Sequence, residues 1–425
     1  MIAWLLISFF VLLFLGVPIA MSLGLSAIGG ILFLGGGSTV TIAQRMFEGM
    51  NSFALLAIPL YTFAGFTMSK GGISKRLMDF CYSIVGHIYG GLAHVNVLSS
   101  MIFAGISGSA VADTAGVSGM FMPEMVRKGY SKNFTVAVTA ISSTIGIIIP
   151  PSIPMVVIAG ICGISTGKLF LGGIIPGVLC GLAQMIVSYF MAKKEGVPKE
   201  PGHFTIGPVL HGLWESWPAL LMPIIIVGTI TMGIVSPTEA GVIAVVYGLF
   251  AGGIIYRELK WEDIKFAFAE TVRTSGRIFI VIGAAKLYTV MLTTAGFDKW
   301  VAKTMLGFST NPTVILIVIL LIFFIVTMFM ESIATLTLFM PILYPIALGV
   351  GINPIVLSVL ITVVIGVGLV TPPVGMCIYV ACDLMDVTVG EVFPTLVPFI
   401  AATFVCIALM VAFPQLILLP TYLMA

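Results

Sequence analysis

Residues 105–119 read GISGSAVADTAGVSG and lie in the middle of an apolar run that has a basic cluster at each end. The clusters are Lys70, Lys75 and Arg76 before the run, and Arg127, Lys128 and Lys132 after it. Because lysine and arginine beside membrane spans favour the cytoplasmic side, both ends of the run are expected in the cytoplasm. The segment must then enter the membrane and turn back. This predicts a re-entrant helical hairpin over about 95–126.

The composition supports a membrane protein throughout. Of the 425 residues, 59% are hydrophobic and 8% are charged, whereas soluble domains carry about 25% charged residues. The mean hydropathy is +1.19. The apolar blocks are continuous, as in VILIVILLIFFIVTMFM at 314–330, and do not alternate as the strands of a membrane barrel would. We therefore predict an all-α polytopic membrane protein, and the 47 glycines and 23 prolines predict broken helices.

Several function classes are excluded by what the sequence lacks. A net charge of +2 without an interleaved basic and aromatic surface argues against nucleic-acid binding. The six cysteines show no CxxC spacing, so we expect core thiols and neither a zinc site nor a disulfide framework. No HExxH, paired Gly-Asp protease motif or P-loop is present, so the chain is not expected to be an enzyme. The first 20 residues, with no preceding basic residue, are expected to be a retained span.

Composition changes along the chain predict four parts. They are an N-terminal span with scaffold helices (1–92), a first transport repeat (93–192), a linker with further scaffold helices (193–311), and a second transport repeat with the last span (312–425). The Pro-rich stretch 193–217 is the expected linker. Residues 256–277 carry both charge signs and are interpreted as an interfacial amphipathic arm. No lysine or arginine follows Lys303, so the orientation of the second repeat depends on counting crossings.

Matching landmarks in the two halves indicate an internal repeat. The landmarks are Asp113-Thr114, Phe121-Met122-Pro123 and Pro150-Pro151 in the first half, and Glu331-Ser332, Phe339-Met340-Pro341 and Pro372-Pro373 in the second. By the crossing count, the first hairpin enters from the cytoplasm and a second, at about 313–350, enters from outside. The broken helices are expected at about 134–165 and 353–384. An inverted repeat with discontinuous helices is typical of secondary transporters, which bind substrate near the membrane midplane.

The double prolines predict cation sites. They lie in IGIIIPPSIP (145–154) and GVGLVTPPVG (366–375), where proline supplies no N–H and leaves carbonyls of the preceding turn for a hard cation such as Na⁺. Two or more coupling ions are expected. The candidate ligands are Gly105, Ser107, Gly146, Ile149 and Pro150 in the first half, and Met330, Gly366, Gly368 and Thr371 in the second. The alternative is that each proline pair is only a kink.

Hydroxyls and helix N-termini at the hairpin tips suit a carboxylate substrate, since no arginine lies in a confident span. The candidate substrate-binding residues are Ser107, Ser109, Asp113, Ser332, Thr335 and Thr371. Helix capping is the alternative for Asp113 and Glu331, and capping is the role favoured for Glu239. The other polar residues weighed for a functional role are His87, His94, Lys286 and Asp383, and for the histidines a structural role is favoured.

The stretches FAGISGSAVADTAGVSGMFMPEMVRKGY (103–130), IGIIIPPSIPMVVIAG (145–160) and GLVTPPVGMCIYVACDL (368–384) closely resemble the large membrane subunit of TRAP (tripartite ATP-independent periplasmic) transporters. The resemblance extends over essentially the whole chain. It implies Na⁺ symport of small organic acids, such as C4-dicarboxylates or sialic acid, across a bacterial inner membrane by an elevator mechanism. It places the hairpin tips at 105–119 and 330–335 and the breaks at 146–151 and 366–373.

The same resemblance implies the partners. They are a small four-helix membrane subunit, expected as a separate polypeptide, a periplasmic substrate-binding protein and a small organic acid anion, with phospholipid around the spans. Two other functions stay open on the residues alone. One is a Na⁺-coupled organic-anion carrier that works without a binding protein, and the other is a channel, whose flux would neither saturate nor depend on a cation gradient.

Overall fold

The computed structural model describes residues 1–34, 39–197 and 205–424, and every regular element within these ranges is helical. Seven helices in the described ranges are long and apolar enough to cross a membrane. The prediction of an all-α polytopic membrane protein is therefore confirmed. Residues 198–204, in the middle of the expected linker, lie outside the described residues.

The helices are numbered in chain order. The N-terminal part contains α1 (Ile2–Phe14), α2 (Ile19–Leu34), α3 (Thr39–Met50), α4 (Ala57–Lys70) and α5 (Ile73–Val85). The next group contains α6 (Gly91–Ser107), α7 (Ala110–Arg127), α8 (Lys132–Ser143), α9 (Ile153–Cys162) and α10 (Thr166–Lys194). The middle part contains α11 (Ile206–Thr231), α12 (Pro237–Phe250), α13 (Trp261–Thr294) and α14 (Phe297–Phe308). The last group contains α15 (Pro312–Thr327), α16 (Ser332–Gly349), α17 (Pro354–Gly368), α18 (Met376–Met385), α19 (Val389–Ala412) and α20 (Gln415–Leu418).

Local side-chain chemistry sets where many of these helices begin. Ser152 caps α9 by accepting a hydrogen bond from the Met155 amide, and Asn353 caps α17 in the same way. Ser236 and Glu239 form a reciprocal capping box at the start of α12. The capping role predicted for Glu239 is therefore confirmed.

The two repeats interlock in the core. Helix α7 of the first group packs against α18 of the second, and α16 of the second packs against α9 of the first. The last long helices of the two groups, α10 and α19, also pack together. The fully buried rings of Phe134 on α8 and Phe399 on α19 stack with their centroids 6.3 Å apart. Because each repeat completes the other's core, the two form one body.

Of the remaining helices, α13 packs against α2, α3, α4 and α16, and α12 packs against α4 and α11. Residues 256–277 do not form a helix of their own, because everything from Trp261 onward continues into the following apolar block as one 34-residue helix. That they lie at the membrane interface stays a prediction. At the start of this helix, Arg76 of α5 pairs with Glu258 at 2.7 Å and lies 4.2 Å above the Tyr256 ring. This contact joins the α4–α5 turn to the loop before α13.

Candidate functional site

Two helical hairpins carry the predicted tips. In the first, α6 and α7 are joined by Gly108 and Ser109, and Gly108 has a left-handed φ of +67°. In the second, α15 and α16 are joined by residues 328–331. A break follows each hairpin: the first is a short 3₁₀ turn (Thr144–Ile147) and the double proline between α8 and α9, and the second lies between α17 and α18. That the hairpins turn back inside the membrane stays a prediction.

Each hairpin tip binds the break of its own repeat through the same backbone contact. The Ile153 amide, directly after the first break, donates to the Gly108 carbonyl oxygen at 3.2 Å. The Val374 amide, after the second break, donates to the Met328 carbonyl oxygen at 3.0 Å. The double proline contains a cis peptide bond in both halves. The repeat seen in the sequence is thus also a repeat of the contact between tip and break.

Asp113 lies at the centre of the first site. It is in the first turn of α7, is 3% exposed, and accepts a hydrogen bond on Oδ1 from the Ser107 hydroxyl. Its Oδ2 has no hydrogen-bond partner among the described residues. That oxygen faces Gly146 of the first break so closely that a Cβ added there would lie 2.1 Å from it. Three predicted residues, Ser107, Asp113 and Gly146, are therefore brought together.

Glu331 is the matching carboxylate of the second tip, and its oxygens are all used locally. Oε2 accepts from the Ile333 and Ala334 amides at 2.9 and 3.3 Å, and Oε1 accepts from the Ser332 hydroxyl at 2.7 Å. Capping of α16 is therefore confirmed for Glu331. The Thr335 hydroxyl likewise donates to the Glu331 carbonyl oxygen at 3.1 Å, and the Thr371 hydroxyl to Val367 at 2.7 Å.

The two sites adjoin one another. Cys377, in the first turn of α18, contacts the Thr114 side chain and lies within electrostatic range of the carboxylates of Asp113 and Glu331. At the crossing of the first break with α17, a Cβ on Gly366 would lie 3.2 Å from the Thr144 side chain. The tips and breaks of both repeats therefore meet in one region of the interlocked body.

The other candidate cation ligands can contribute only backbone oxygens. Gly105 lies near the Pro150 carbonyl oxygen, which would be 3.7 Å from an added Cβ. The Ile149 side chain points towards Gly177 of α10. Gly368 faces Thr327 of α15, and Met330 is buried.

Some residues weighed in the sequence lie away from these tips and breaks. Asp383 is exposed near the end of α18. The stem of Lys286 on α13 packs against Gly49 of α3. His94 is buried in the first turn of α6, where its Nε2 contacts the Tyr89 carbonyl oxygen at 3.2 Å. None of the three contacts a hairpin tip or a break in the described structure.

Sequence reasoning missed a buried polar network that joins α6 to α8. Asn96 donates to the Thr139 hydroxyl at 2.7 Å and accepts from the Ser142 hydroxyl at 3.0 Å, and Ser100 donates to Ser142 at 3.1 Å. All four residues are fully buried. The available signal was polar residues at helical spacing on two apolar segments. The network holds the first hairpin against the helix that leads into the first break.

Comparisons with known proteins agree on one family. The sequence model described as "Tripartite ATP-independent periplasmic transporter, DctM component" matches residues 6–416. The chain is 35% identical to the sialic acid TRAP transporter large permease protein SiaM of Vibrio cholerae, over 96% of this chain and 95% of that protein. It is also 35% identical to the C4-dicarboxylate TRAP transporter large permease protein DctM of Pseudomonas aeruginosa, over 95% of this chain and 94% of that protein.

Longer relatives and solved structures extend this picture. The isethionate TRAP transporter permease protein DctMQ of Oleidesulfovibrio alaskensis is 37% identical over 92% of this chain, which spans 62% of that protein's length. Among solved structures, the YdaH transporter of Alcanivorax borkumensis has a TM-score of 0.59 at 13% identity, covering 89% of this chain and 88% of that chain. MtrF of Neisseria gonorrhoeae has a TM-score of 0.58 at 14% identity, covering 88% of this chain and 84% of that chain. At these identities the structures show a shared fold alone.

Proposed function

The chain belongs to the DctM family of tripartite ATP-independent periplasmic transporters, and we propose that it imports a small organic acid by Na⁺ symport as the large membrane subunit of such a transporter. It is a multi-pass protein of the bacterial inner membrane and a transport protein, not an enzyme. The observation that carries the proposal is the paired contact of each tip with its break, Gly108 with Ile153 and Met328 with Val374. Two equivalent tip contacts in an interlocked inverted repeat suit a transporter with a central binding site.

The residues present fit a bound cation. A buried carboxylate oxygen without a partner, Asp113 Oδ2, is strongly unfavourable unless a positive charge or a proton neutralises it. When bound, Na⁺ would supply that positive charge and link the ion gradient to substrate binding. In the first half, the candidate ligands Gly105, Ser107, Gly146, Ile149 and Pro150 would hold it with hydroxyl and carbonyl oxygens. In the second half, Met330, Gly366, Gly368 and Thr371 would do so.

The substrate is proposed to bind at the tips. The first tip offers two half-buried hydroxyls, of Ser107 at the end of α6 and of Ser109 at the N-terminus of α7. The hydroxyls of Ser332, Thr335 and Thr371 already donate within the second half, so they would accept hydrogen bonds from hydroxyl groups of a substrate, and binding its carboxylate would require them to reorient. A helix N-terminus favours an anion. Relatives named for sialic acid, C4-dicarboxylates and isethionate support a small organic anion as the substrate class, and sialic acid and C4-dicarboxylates are the acids to test first.

An elevator mechanism is proposed for the conformational step. The interlocked repeats would move as one body against the scaffold formed around α13. Close approaches between them involve glycines: a Cβ on Gly65 of α4 would lie 3.2 Å from the Ser107 Cα, and one on Gly105 would lie 2.5 Å from Pro223 of α11. At these two points small residues let the backbones approach closely, which supports a surface along which the first hairpin could slide, whereas α13 and α16 share a buried apolar cluster.

The proposed partners are a small four-helix membrane subunit and a periplasmic binding protein that delivers the acid. The alternative is a Na⁺-coupled carrier that works alone. The test is to reconstitute the chain with its candidate small subunit in proteoliposomes and to follow radiolabelled sialic acid and succinate. Uptake is measured with and without an inward Na⁺ gradient and the binding protein.

The expected result is uptake of one of the two acids, and only when both the inward Na⁺ gradient and the binding protein are present. Uptake without the binding protein would favour the stand-alone carrier. Flux that ignores the Na⁺ gradient would refute the cation sites at both breaks.

A further inference from the structure

We propose that the two cation sites are unequal, because the Asp113 carboxylate keeps one oxygen unpartnered at the first site, whereas three donors already hold the Glu331 carboxylate at the second tip. The proposal rests on the Na⁺ coupling proposed above. It reassigns Asp113 from the substrate to the cation. It also predicts that the first site binds Na⁺ more tightly and fills at lower Na⁺ concentration.

The position of Asp113 carries the first part of the argument. Its side chain is buried under α6 and α7, and one oxygen is held by Ser107. The other oxygen points at the backbone of the first break, where Gly146 has no side chain to fill the approach. A side chain at position 146 would occupy the space next to Oδ2. The glycine thus lets the carboxylate approach the backbone of the break closely.

Charge decides what such a carboxylate needs. A buried ion without a counter-charge or full hydrogen bonding is strongly destabilising. Oxygen ligands are also those that a hard monovalent cation prefers, and a carboxylate binds it more strongly than a carbonyl because the charges attract directly. One Na⁺ beside Oδ2 would make the first site electrically neutral.

The second half shows the contrast at the matching positions. Glu331 lies the same number of residues before Phe-Met-Pro as Asp113 does, yet both its oxygens already accept hydrogen bonds at the start of α16. Gly368 precedes the second double proline by the same number of residues as Gly146 precedes the first. Gly368, however, faces the neutral side chain of Thr327. The Thr327 hydroxyl in turn donates to the Phe323 carbonyl oxygen at 2.5 Å. Three donors therefore offset the charge of Glu331 at the second tip, whereas Asp113 Oδ2 has no donor among the described residues.

The experiment compares Asp113→Asn with a matched control in the purified complex of this chain and its small subunit. Glu391→Gln is the control, since it also changes a carboxylate to an amide but lies exposed at the start of α19. Thermal unfolding is followed while NaCl replaces choline chloride at constant ionic strength. The Na⁺ dependence of the unfolding temperature reports binding without requiring transport.

We expect Asp113→Asn to raise the lowest Na⁺ concentration that stabilises the complex half-maximally by about tenfold or more, because the substitution removes a full charge. Each tenfold change corresponds to about 1.4 kcal/mol. Glu391→Gln should change it by less than about twofold. If the wild-type complex shows no Na⁺ effect, the Na⁺ coupling itself is wrong and this proposal falls with it. If the wild type responds and Asp113→Asn responds equally, only the inequality of the sites is wrong.

A second measurement covers the case in which Asp113→Asn does not fold. Electron cryomicroscopy of the wild-type complex in NaCl should show density at ligand distance from Asp113 Oδ2. Density at the second break with none beside Asp113 would overturn the proposal.

Discussion

Replacing Gly108 by alanine is expected to weaken Na⁺-dependent uptake by more than an order of magnitude. Gly108 has a φ of +67°, where an L side chain is unfavourable by about 1–2 kcal/mol. An added Cβ would also lie 2.7 Å from the Pro151 carbonyl oxygen. The tip must then move away from the break, which removes the 3.2 Å bond from Ile153 and about 0.5–1.5 kcal/mol more.

These terms amount to about 1.5–3.5 kcal/mol against the docked tip, or about 10- to 300-fold in the docked population at most. If only the docked tip binds Na⁺, the half-saturating Na⁺ concentration rises by up to the same factor. The assay is initial uptake in proteoliposomes across a Na⁺ series. The control is Gly116→Ala on α7, where an added Cβ meets nothing within 4 Å among the described residues. A wild-type Na⁺ dependence in Gly108→Ala would refute the role given to tip docking.

Three further substitutions test the packing. Asn96→Ala should lower the free energy of unfolding by about 1–3 kcal/mol because it removes the buried bonds with Thr139 and Ser142, and a change below about 0.5 kcal/mol in thermal unfolding would contradict this. Burial raises the pKa of Asp79 on α5 above its ordinary value of 3.8, so its ionised form destabilises the fold at neutral pH. Asp79→Asn should therefore raise the unfolding temperature at pH 7 and lose that advantage as the pH falls to 3.8, below which the carboxyl is protonated in both states, and equal gains at both pH values would exclude burial as the cause. Glu258→Ala should lower stability by less than about 1 kcal/mol, since its ion pair with Arg76 is partly exposed, and a larger loss would show that this contact supports the scaffold.

Local features of the chain were sufficient to predict much of the fold. Continuous apolar blocks indicate membrane helices, and proline pairs interrupt a helix wherever they stand, because a proline supplies no N–H. The breaks after α8 and α17 could therefore be placed from residues 145–154 and 366–375. The continuity of α13 could not be predicted from the sequence. Its amphipathic first part and apolar second part look like two elements in sequence, and only its packing against α2, α3 and α4 shows one helix.

The candidate site was predicted in part. Ser107, Asp113 and Gly146 are brought together as their positions in tip and break suggested. The network around Asn96 was missed, because a polar residue in an apolar run does not reveal which neighbouring helix it faces. Its partners depend on the rotation of α6 against α8.

The sequence by itself determined the all-α membrane class, the order of hairpins and breaks, and the presence of one carboxylate at each tip. These follow from hydrophobic length, proline and the repeated landmarks, all of which act within a few turns of chain. Only the tertiary structure decided what the two carboxylates do. Asp113 and Glu331 stand at matching positions, yet Glu331 caps its own helix while Asp113 faces Gly146 with one oxygen unpartnered. The reason is that a side chain's partner depends on which backbone packs across from it, and that contact joins segments far apart in the chain.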